Sequence, residues 1–175
     1  MIEAGQDFAI TELETRPLTP TVKLLIAQRH RISGWVPGAV RALVMRPPTL
    51  FSLAEYELLG YQNVYIIDKV RTQIQHHRLC VAFHSPNILH EEMLCVHKEA
   101  CGEAWDTAWW GGFAKHYLHP DMPATPEEAL ADLLNADIPG VTYQCHINTV
   151  GYVDSKGVLK KENEFIMAAI TEMTA

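Results

Sequence analysis

Residues 88–110 are the segment that most constrains the fold, because they are the most helix-like stretch of the sequence. One set of side chains recurs there every three or four residues: His90, Leu94, His97, Cys101, Ala104 and Ala108. An α-helix has 3.6 residues per turn, so these residues would form a stripe along one face. The pattern predicts an amphipathic helix that turns this stripe towards the core and ends at Gly111-Gly112.

Other segments favour a mixture of helices and strands. Thr19-Pro20 and Thr125-Pro126-Glu127-Glu128 have the residues of helix N-termini. Three further segments are rich in β-branched and aromatic residues, and these are YQNVYIID, RLCVAF and the alternating VTYQCHINTVGYV. We therefore expect an α+β protein with a mostly antiparallel or mixed sheet packed against several helices. The sequence does not decide whether residues 68–78 form a helix or a strand.

The size of the chain and its uniform composition predict a single domain over residues 1–175. One hydrophobic core commonly organises about 100–200 residues, and no repeat or Gly/Ser linker divides this sequence. Hydrophobic residues make up 48% of the chain, which is enough for such a core. Residues 1–18 are predicted to form a loose N-terminal arm, or an edge strand around DFAITELE.

Charge is distributed unevenly between the two halves of the chain. The formal net charge is -7, but residues 1–78 carry nine Lys/Arg and seven Asp/Glu, whereas residues 79–175 carry five and fourteen. An acidic half repels phosphate, which argues against a broad nucleic-acid surface. It could attract a partner protein with a basic surface, although a solvated, soluble face explains the same charge without a partner.

The N-terminal sequence and the cysteines favour a soluble protein of the cytoplasm. MIEAGQDFAITELETRP lacks the basic and apolar regions of a secretory signal, and no apolar run is long enough to cross a membrane. The four cysteines contain no CxxC pair, so we expect reduced thiols.

A zinc site is one chemical hypothesis for this sequence, and no other cofactor is expected. His97 and Cys101, four residues apart on the predicted helix, could chelate one ion. His116 and His119 would supply further ligands if the chain forms a helical hairpin at the Gly-Gly pair. On an unbroken helix, His90 lies roughly 10 Å before His97 and cannot share the ion, and Cys95 points away.

A reactive thiol is the second chemical hypothesis. The segment Cys101-Gly102-Glu103-Ala104-Trp105 resembles the Cys-Gly-x-Cys-Trp segment of papain-like cysteine proteases. The nucleophile position of that family is Ala104 here, so the resemblance assigns no catalytic residue. Independently of it, Cys101 could act as a nucleophile with His146 as its base and Asp154 or Asn148 orienting the imidazole.

Tryptophan and arginine residues suggest surfaces for a partner. Trp105, Trp109 and Trp110 cannot all face one core, because Trp110 lies about 100° further round the helix, so at least one should reach a surface or an interface. A second patch contains Arg29, Arg31 and Trp35 and could pair with an acidic or nucleotide ligand. The basic end of a helix explains the same arginines without a ligand.

These observations leave two main classes of function open, beside a small-ligand sensor that would use the patch RHRISGW. The first is a cytoplasmic interaction protein, a regulator or inhibitor that binds its partner through the acidic C-terminal half and the tryptophans. The sequence also leaves self-association into a homo-oligomer open. The alternative is an enzyme, with either a zinc site at His97, Cys101 and His119 or a Cys101–His146 nucleophile. The sequence does not decide whether the protein is an enzyme.

Overall fold

The computed structural model describes residues 10–46, 51–120 and 122–174. Of these residues 73% are helical, and none of them belongs to a strand. The predicted α+β fold with a sheet is therefore wrong, and the protein is helical. No described helix combines the length and the apolar character needed to cross a membrane.

Helices account for most of the described part of the chain, and a loop at residues 84–97 separates two of them. In the described residues they are α1 (Pro20–His30), α2 (Val36–Met45), α3 (Leu53–Phe83), α4 (Lys98–Ala108), α5 (Ala114–Tyr117), α6 (Pro126–Asn135), α7 (Tyr143–Ser155) and α8 (Lys161–Thr174). A kink divides α3 at Gly60, which has the non-helical dihedral angles φ 73° and ψ 158°. A 3₁₀ turn, Ser33–Trp35, precedes α2, and a π-helical segment, Trp109–Phe113, joins α4 to α5. Residues 10–14 are also helical.

The chain forms two compact units. Unit 1 contains the described residues up to Arg71 and from Ile166 onward, and unit 2 is Thr72–Phe165. In unit 1, α1 packs against α2. The predicted start of α1 is confirmed, because the Thr19 hydroxyl accepts a hydrogen bond from the Val22 N–H and Pro20 is the first helical residue. The helix ends at Arg31, which adopts a left-handed conformation with φ 55°.

The three predicted strands are helical in the structure. Residues 61–68 and 78–83 both lie in α3, which settles 68–78 as helix as well, and residues 141–153 contribute to α7. The buried residues of α7 follow helical spacing, namely Cys145, His146, Thr149, Val150 and Val153. Strand propensity reflects how a side chain packs rather than a fixed backbone preference, so helical packing overrides it here. The described part of the predicted N-terminal edge strand, residues 10–14, is also helical.

An aromatic ladder forms the core of unit 2. Trp105, Trp109, Phe113 and Tyr117 stack along one face of α4, the π-helical segment and α5, with successive ring centroids 5.8, 4.2 and 5.1 Å apart. The predicted helix end at Gly111-Gly112 is wrong, because the chain passes through both glycines as a π-helix. The helical run therefore continues to Tyr117, which keeps all four rings on the core side.

A buried ion pair lies at the end of this ladder. Arg78 donates two hydrogen bonds of 2.8 Å to the Glu162 carboxylate, and the Tyr117 hydroxyl donates a third of 2.5 Å. Glu162 is only 1% exposed, so these three donors replace its water. Burial, followed by the neighbouring Glu162 charge, raises the pKa of Tyr117 well above its usual value, which keeps the phenol a donor.

Removing the carboxylate charge of Glu162 from this buried pair should destabilise the protein strongly. Glu162→Gln leaves the Arg78 guanidinium without its carboxylate in a buried position, and we expect a loss of about 3–5 kcal/mol in the free energy of unfolding at neutral pH. Urea denaturation measures it. Glu164→Gln, an exposed change on the same helix, is the matched control and should cost less than about 0.5 kcal/mol. Equal effects of the two variants would contradict a structural role for the pair.

A second carboxylate ties α2 to the start of α3 in unit 1. Glu55 accepts hydrogen bonds from the Arg46 guanidinium (2.5 Å), the Ser52 N–H (3.0 Å) and the Ser52 hydroxyl (2.9 Å). The Ser52 hydroxyl accepts in return from the Glu55 N–H, so Ser52 caps the start of α3. The Arg46 hydrogen bond, followed by that of the Ser52 backbone, lowers the pKa of Glu55 from 4.5 to about 2.

This lowered pKa predicts an acid-dependent stability. The ionised Glu55 stabilises the fold at pH values above about 4.5, and the stabilisation is lost as the pH falls towards 2. We expect the wild type to lose about 1–2 kcal/mol through this group over that window, a figure reduced for partial solvent screening. Urea denaturation from pH 2 to 6 should show a shallower acid slope in Glu55→Gln, whereas the exposed-site variant Glu57→Gln should keep it. An unchanged slope in Glu55→Gln would refute the assignment.

Candidate metal centre

Four potential metal ligands meet in unit 2. His90, Cys95, Cys101 and Cys145 each place one ligand atom so that all four atoms lie within 4.8 Å of one another. The three cysteines are buried and unpaired, and His90 is partly buried. Cys145 lies 44 residues after Cys101, so the cluster connects distant parts of the sequence.

Two of the ligands come from an irregular loop that is fixed to its surroundings. Residues 84–97 contain no helix, and a turn brings the N–H of Cys95 to the carbonyl of Glu91 at 2.9 Å. The Leu89 N–H donates to the hydroxyl of Thr149, and Trp105 donates from its ring N–H to the carbonyl of Pro86, both at 2.9 Å. These hydrogen bonds attach the first half of the loop to α7 and α4.

The other two ligands lie in the first turns of helices. Cys101 is the fourth residue of α4, and Cys145 is the third residue of α7. Neither helix has a side-chain hydrogen bond at its N-cap. The N-terminal end of a helix carries a partial positive charge, which suits the anionic sulfur of a metal-bound cysteine.

Hydrogen bonds within the cluster suit thiolates. The backbone N–H of Glu91 donates to Sγ of Cys145 at 3.2 Å, and Sγ of Cys95 lies 3.4 Å from Nδ1 of His90. Backbone donors to sulfur are typical of metal–thiolate sites, where they reduce the charge on the ligand. The Glu91 carboxylate also accepts a long hydrogen bond, 3.5 Å, from Asn148 of α7.

The separations fit a tetrahedral ion. Four atoms no more than 4.8 Å apart lie within about 2.9 Å of a common centre, whereas zinc binds sulfur at about 2.3 Å and nitrogen at about 2.0 Å. An inward movement of each ligand atom by less than about 1 Å would therefore complete the coordination. Three sulfurs and one imidazole are a standard donor set for structural zinc.

Of the metal ligands proposed from the sequence, only Cys101 belongs to this cluster. His97 is exposed immediately before α4, and His116 is exposed and pairs with Asp132 at 3.2 Å. His119 is also exposed, and its Nδ1 accepts from the N–H of Met122. Because the chain stays helical through the Gly-Gly pair, no hairpin forms there to bring these imidazoles to Cys101.

Sequence reasoning missed His90 and Cys95 because it extended α4 too far. An unbroken helix from residue 88 separates His90 from Cys101, whereas the observed loop folds back and brings them together. The signal was the short spacing His90-x4-Cys95-x5-Cys101 next to Ser85-Pro86-Asn87, a turn sequence that argues against a helix immediately after it. No local signal identifies Cys145.

The residues that were predicted to act with Cys101 as a nucleophile contact other groups in the structure. The His146 ring is buried, with Nε2 2.6 Å from the carbonyl of Leu133, and it packs beside Trp105. Asp154 pairs with Lys160 at 2.6 Å, and Asn148 contacts Gln144 and Glu91. The sulfur of Cys101 instead lies among the metal ligands. The trio is therefore not brought together as a catalytic unit.

The tryptophans proposed for a partner surface are mainly core residues. Trp105 and Trp109 are 1% and 2% exposed, whereas Trp110 is 43% exposed and packs edge-on against Phe83. The expectation that one tryptophan reaches the surface is thus confirmed for Trp110. Trp35 is buried and donates to Glu14 at 3.0 Å.

The basic residues proposed with Trp35 lie at the end of α1. Arg29 is in its last turn and Arg31 follows it, and both are exposed. Cationic side chains at the C-terminal end of a helix are favoured by the helix dipole. A contact with a partner through this patch stays a prediction.

Comparisons with known proteins give no family for this chain. Scans against protein-family models, curated proteins and solved structures each found no match. The function must therefore be inferred from the geometry of the chain itself.

The burial of the cluster predicts unequal thiol reactivity. Cys80 is exposed on α3, whereas Cys95, Cys101 and Cys145 are buried. In the native, reduced protein we expect a thiol-specific reagent to modify one cysteine per chain at least about tenfold faster than the others. Cys80→Ser should abolish the fast phase. A fast phase that persists in this variant would show that the cluster is open to solvent.

Proposed function

We propose that this protein binds one zinc ion through His90, Cys95, Cys101 and Cys145, and that the ion fixes the conformation of the surface loop at residues 84–97. The observation that carries the proposal is the convergence of the four ligand atoms within 4.8 Å. Isolated cysteines pack as small apolar residues, but three buried thiols grouped around an imidazole form a ligand set.

The donor types favour zinc among the biological metals. Thiolates with an imidazole suit zinc, whereas calcium and magnesium require oxygen ligands. Copper(I) and iron–sulfur clusters also use thiolates. Four donors arranged around a single centre match the tetrahedral coordination of zinc, which has no preference for another geometry.

A complete set of four protein ligands supports a structural role rather than a hydrolytic one. Catalytic zinc keeps an open position for water, usually with three protein ligands. Here the protein would supply all four positions, three of them from buried residues. We therefore propose a structural zinc centre at these four residues instead of the zinc enzyme that the sequence suggested, whose ligands would be His97, Cys101 and His119.

The ion would connect the loop at residues 84–97 to α4 and α7. It would hold Cys95 and His90 against the first turns of both helices, and it would offset the mutual repulsion of three thiolates. The second half of the loop has few other attachments. Within the described part of the chain, the backbone hydrogen bonds of residues 92–96 run from Leu94 and Cys95 to Glu91. Metal binding should therefore contribute directly to the order of this segment.

Metal analysis of the purified protein tests the proposal. We expect one zinc per chain, and cobalt(II) substitution should give the visible absorption bands of a tetrahedral thiolate site. Because each ligand contributes a metal bond, Cys101→Ser and Cys145→Ser should each weaken zinc binding at least about 100-fold in competition with a chelator. Chelation of zinc from the wild type should also lower its Tm.

Two matched variants serve as controls. Cys80→Ser removes a thiol outside the cluster, and His97→Ala removes the neighbouring exposed imidazole. Both should keep full zinc content and wild-type affinity. Fully reduced wild-type protein that neither contains zinc nor binds cobalt(II) tetrahedrally would overturn the proposal, as would equal loss of zinc in the His97→Ala control.

A further inference from the structure

The loop of the candidate zinc centre exposes an unusual number of apolar side chains. Met93 and Val96 are 89% and 83% exposed, and Leu94 and Leu89 are 60% and 40% exposed. We refer to these four residues, Leu89, Met93, Leu94 and Val96, as the loop face. A single exposed apolar residue is ordinary, but four within eight consecutive positions form the kind of patch that marks an interaction site.

Acidic residues lie close to the loop face in the sequence, both within the loop and on α4. Residues 88–106 contain five Asp/Glu and one Lys, a formal net charge of -4. Glu92, Glu99, Glu103 and Asp106 are all exposed. Exposed apolar side chains with acidic neighbours in the sequence complement a surface that combines apolar residues with lysine or arginine, and they disfavour phosphate-rich ligands such as nucleic acids.

The loop face is also held in place before any partner binds. The hydrogen bonds from Leu89 to Thr149 and from Glu91 to Cys145 fix one end of the loop. The zinc ligands Cys95 and Cys101 would fix the other end. A loop that is already ordered loses less conformational entropy on binding, which favours affinity.

We propose that the loop face binds a basic, amphipathic segment of a partner protein. Apolar residues of that segment would pack on Met93, Leu94 and Val96, while its lysines and arginines would pair with Glu92 and Glu99. This inference rests on the proposed zinc centre, because the metal orders the residues that make the contact. A second copy of this chain is a poorer occupant, since its own loop face has the same acidic neighbours in the sequence.

A designed peptide tests the surface while the natural partner is still unidentified. The probe is a short fluorescent helical peptide with leucine on one face and lysine on the other, and the reference is the same peptide with glutamate in place of lysine. Fluorescence anisotropy with zinc-loaded protein should show binding of the lysine peptide at least about tenfold tighter than that of the glutamate peptide. Added salt should weaken the binding.

Variants locate the binding surface. The triple change Met93→Ser, Leu94→Ser and Val96→Ser should weaken binding of the lysine peptide at least about tenfold and retain one zinc per chain. The matched control removes exposed apolar side chains from α3 by Leu53→Ser, Leu58→Ser and Tyr61→Ser, and should bind like the wild type. Glu92→Lys with Glu99→Lys should reduce both affinity and salt dependence.

Zinc content separates failure of this inference from failure of the zinc proposal. Loss of peptide binding in the loop-face variant at full zinc content supports the inference. Wild-type protein that contains zinc but binds both peptides equally would overturn it, as would binding that is unaffected by the triple change. Concentration-dependent dimers that disappear in the triple variant would assign the loop face to self-association and likewise overturn it.

Discussion

The grouping of three thiols and an imidazole within one small volume is the constraint on which the functional account depends. Two of these groups lie on a loop without regular structure, and two lie at the starts of helices that are distant in sequence. They meet only because backbone and side-chain hydrogen bonds attach the loop to α4 and α7. A closed zinc centre would complete this attachment, and it would explain why buried cysteines from three parts of the chain occupy one site.

The rest of unit 2 provides the rigid support that such a site requires. The aromatic ladder fixes α4, the π-helical segment and α5 as one continuous run, and the Arg78–Glu162 pair closes its far end. At the loop between α6 and α7, Gly140 has φ +91°, and a Cβ there would come within 3.2 Å of the Ala104 Cβ. The glycine permits this close approach of the loop to α4, shortly before α7 begins and places Cys145 in its first turn.

The sequence allowed local features to be predicted more successfully than the fold. The caps at Thr19 and Thr125 depend on residues within one turn, and both are confirmed, the second as a full capping box. The sheet was wrong because residues 141–153 fit two periods at once: their alternation suggested a strand, but Cys145, Thr149 and Val153 also repeat every four residues. A choice between the two patterns requires tertiary packing, which a short window does not contain.

The candidate site shows the same division between local and distant information. Cys101 could be singled out from its own segment, whereas His90 and Cys95 were excluded because the helix was expected to begin at residue 88 and begins at Lys98. Cys145 is separated from them by α5 and α6, and no spacing rule reaches that far. The prediction of the tryptophan positions was limited in a similar way. The π-helical segment, and not a helix end, determines which rings enter the core.

X-ray absorption spectroscopy at the zinc edge tests the central claim most directly, because it counts the atoms bound to the metal. The account predicts three sulfur atoms at about 2.3 Å and one nitrogen at about 2.0 Å around each zinc. Coordination by nitrogen and oxygen alone, or by fewer than three sulfurs, would contradict it.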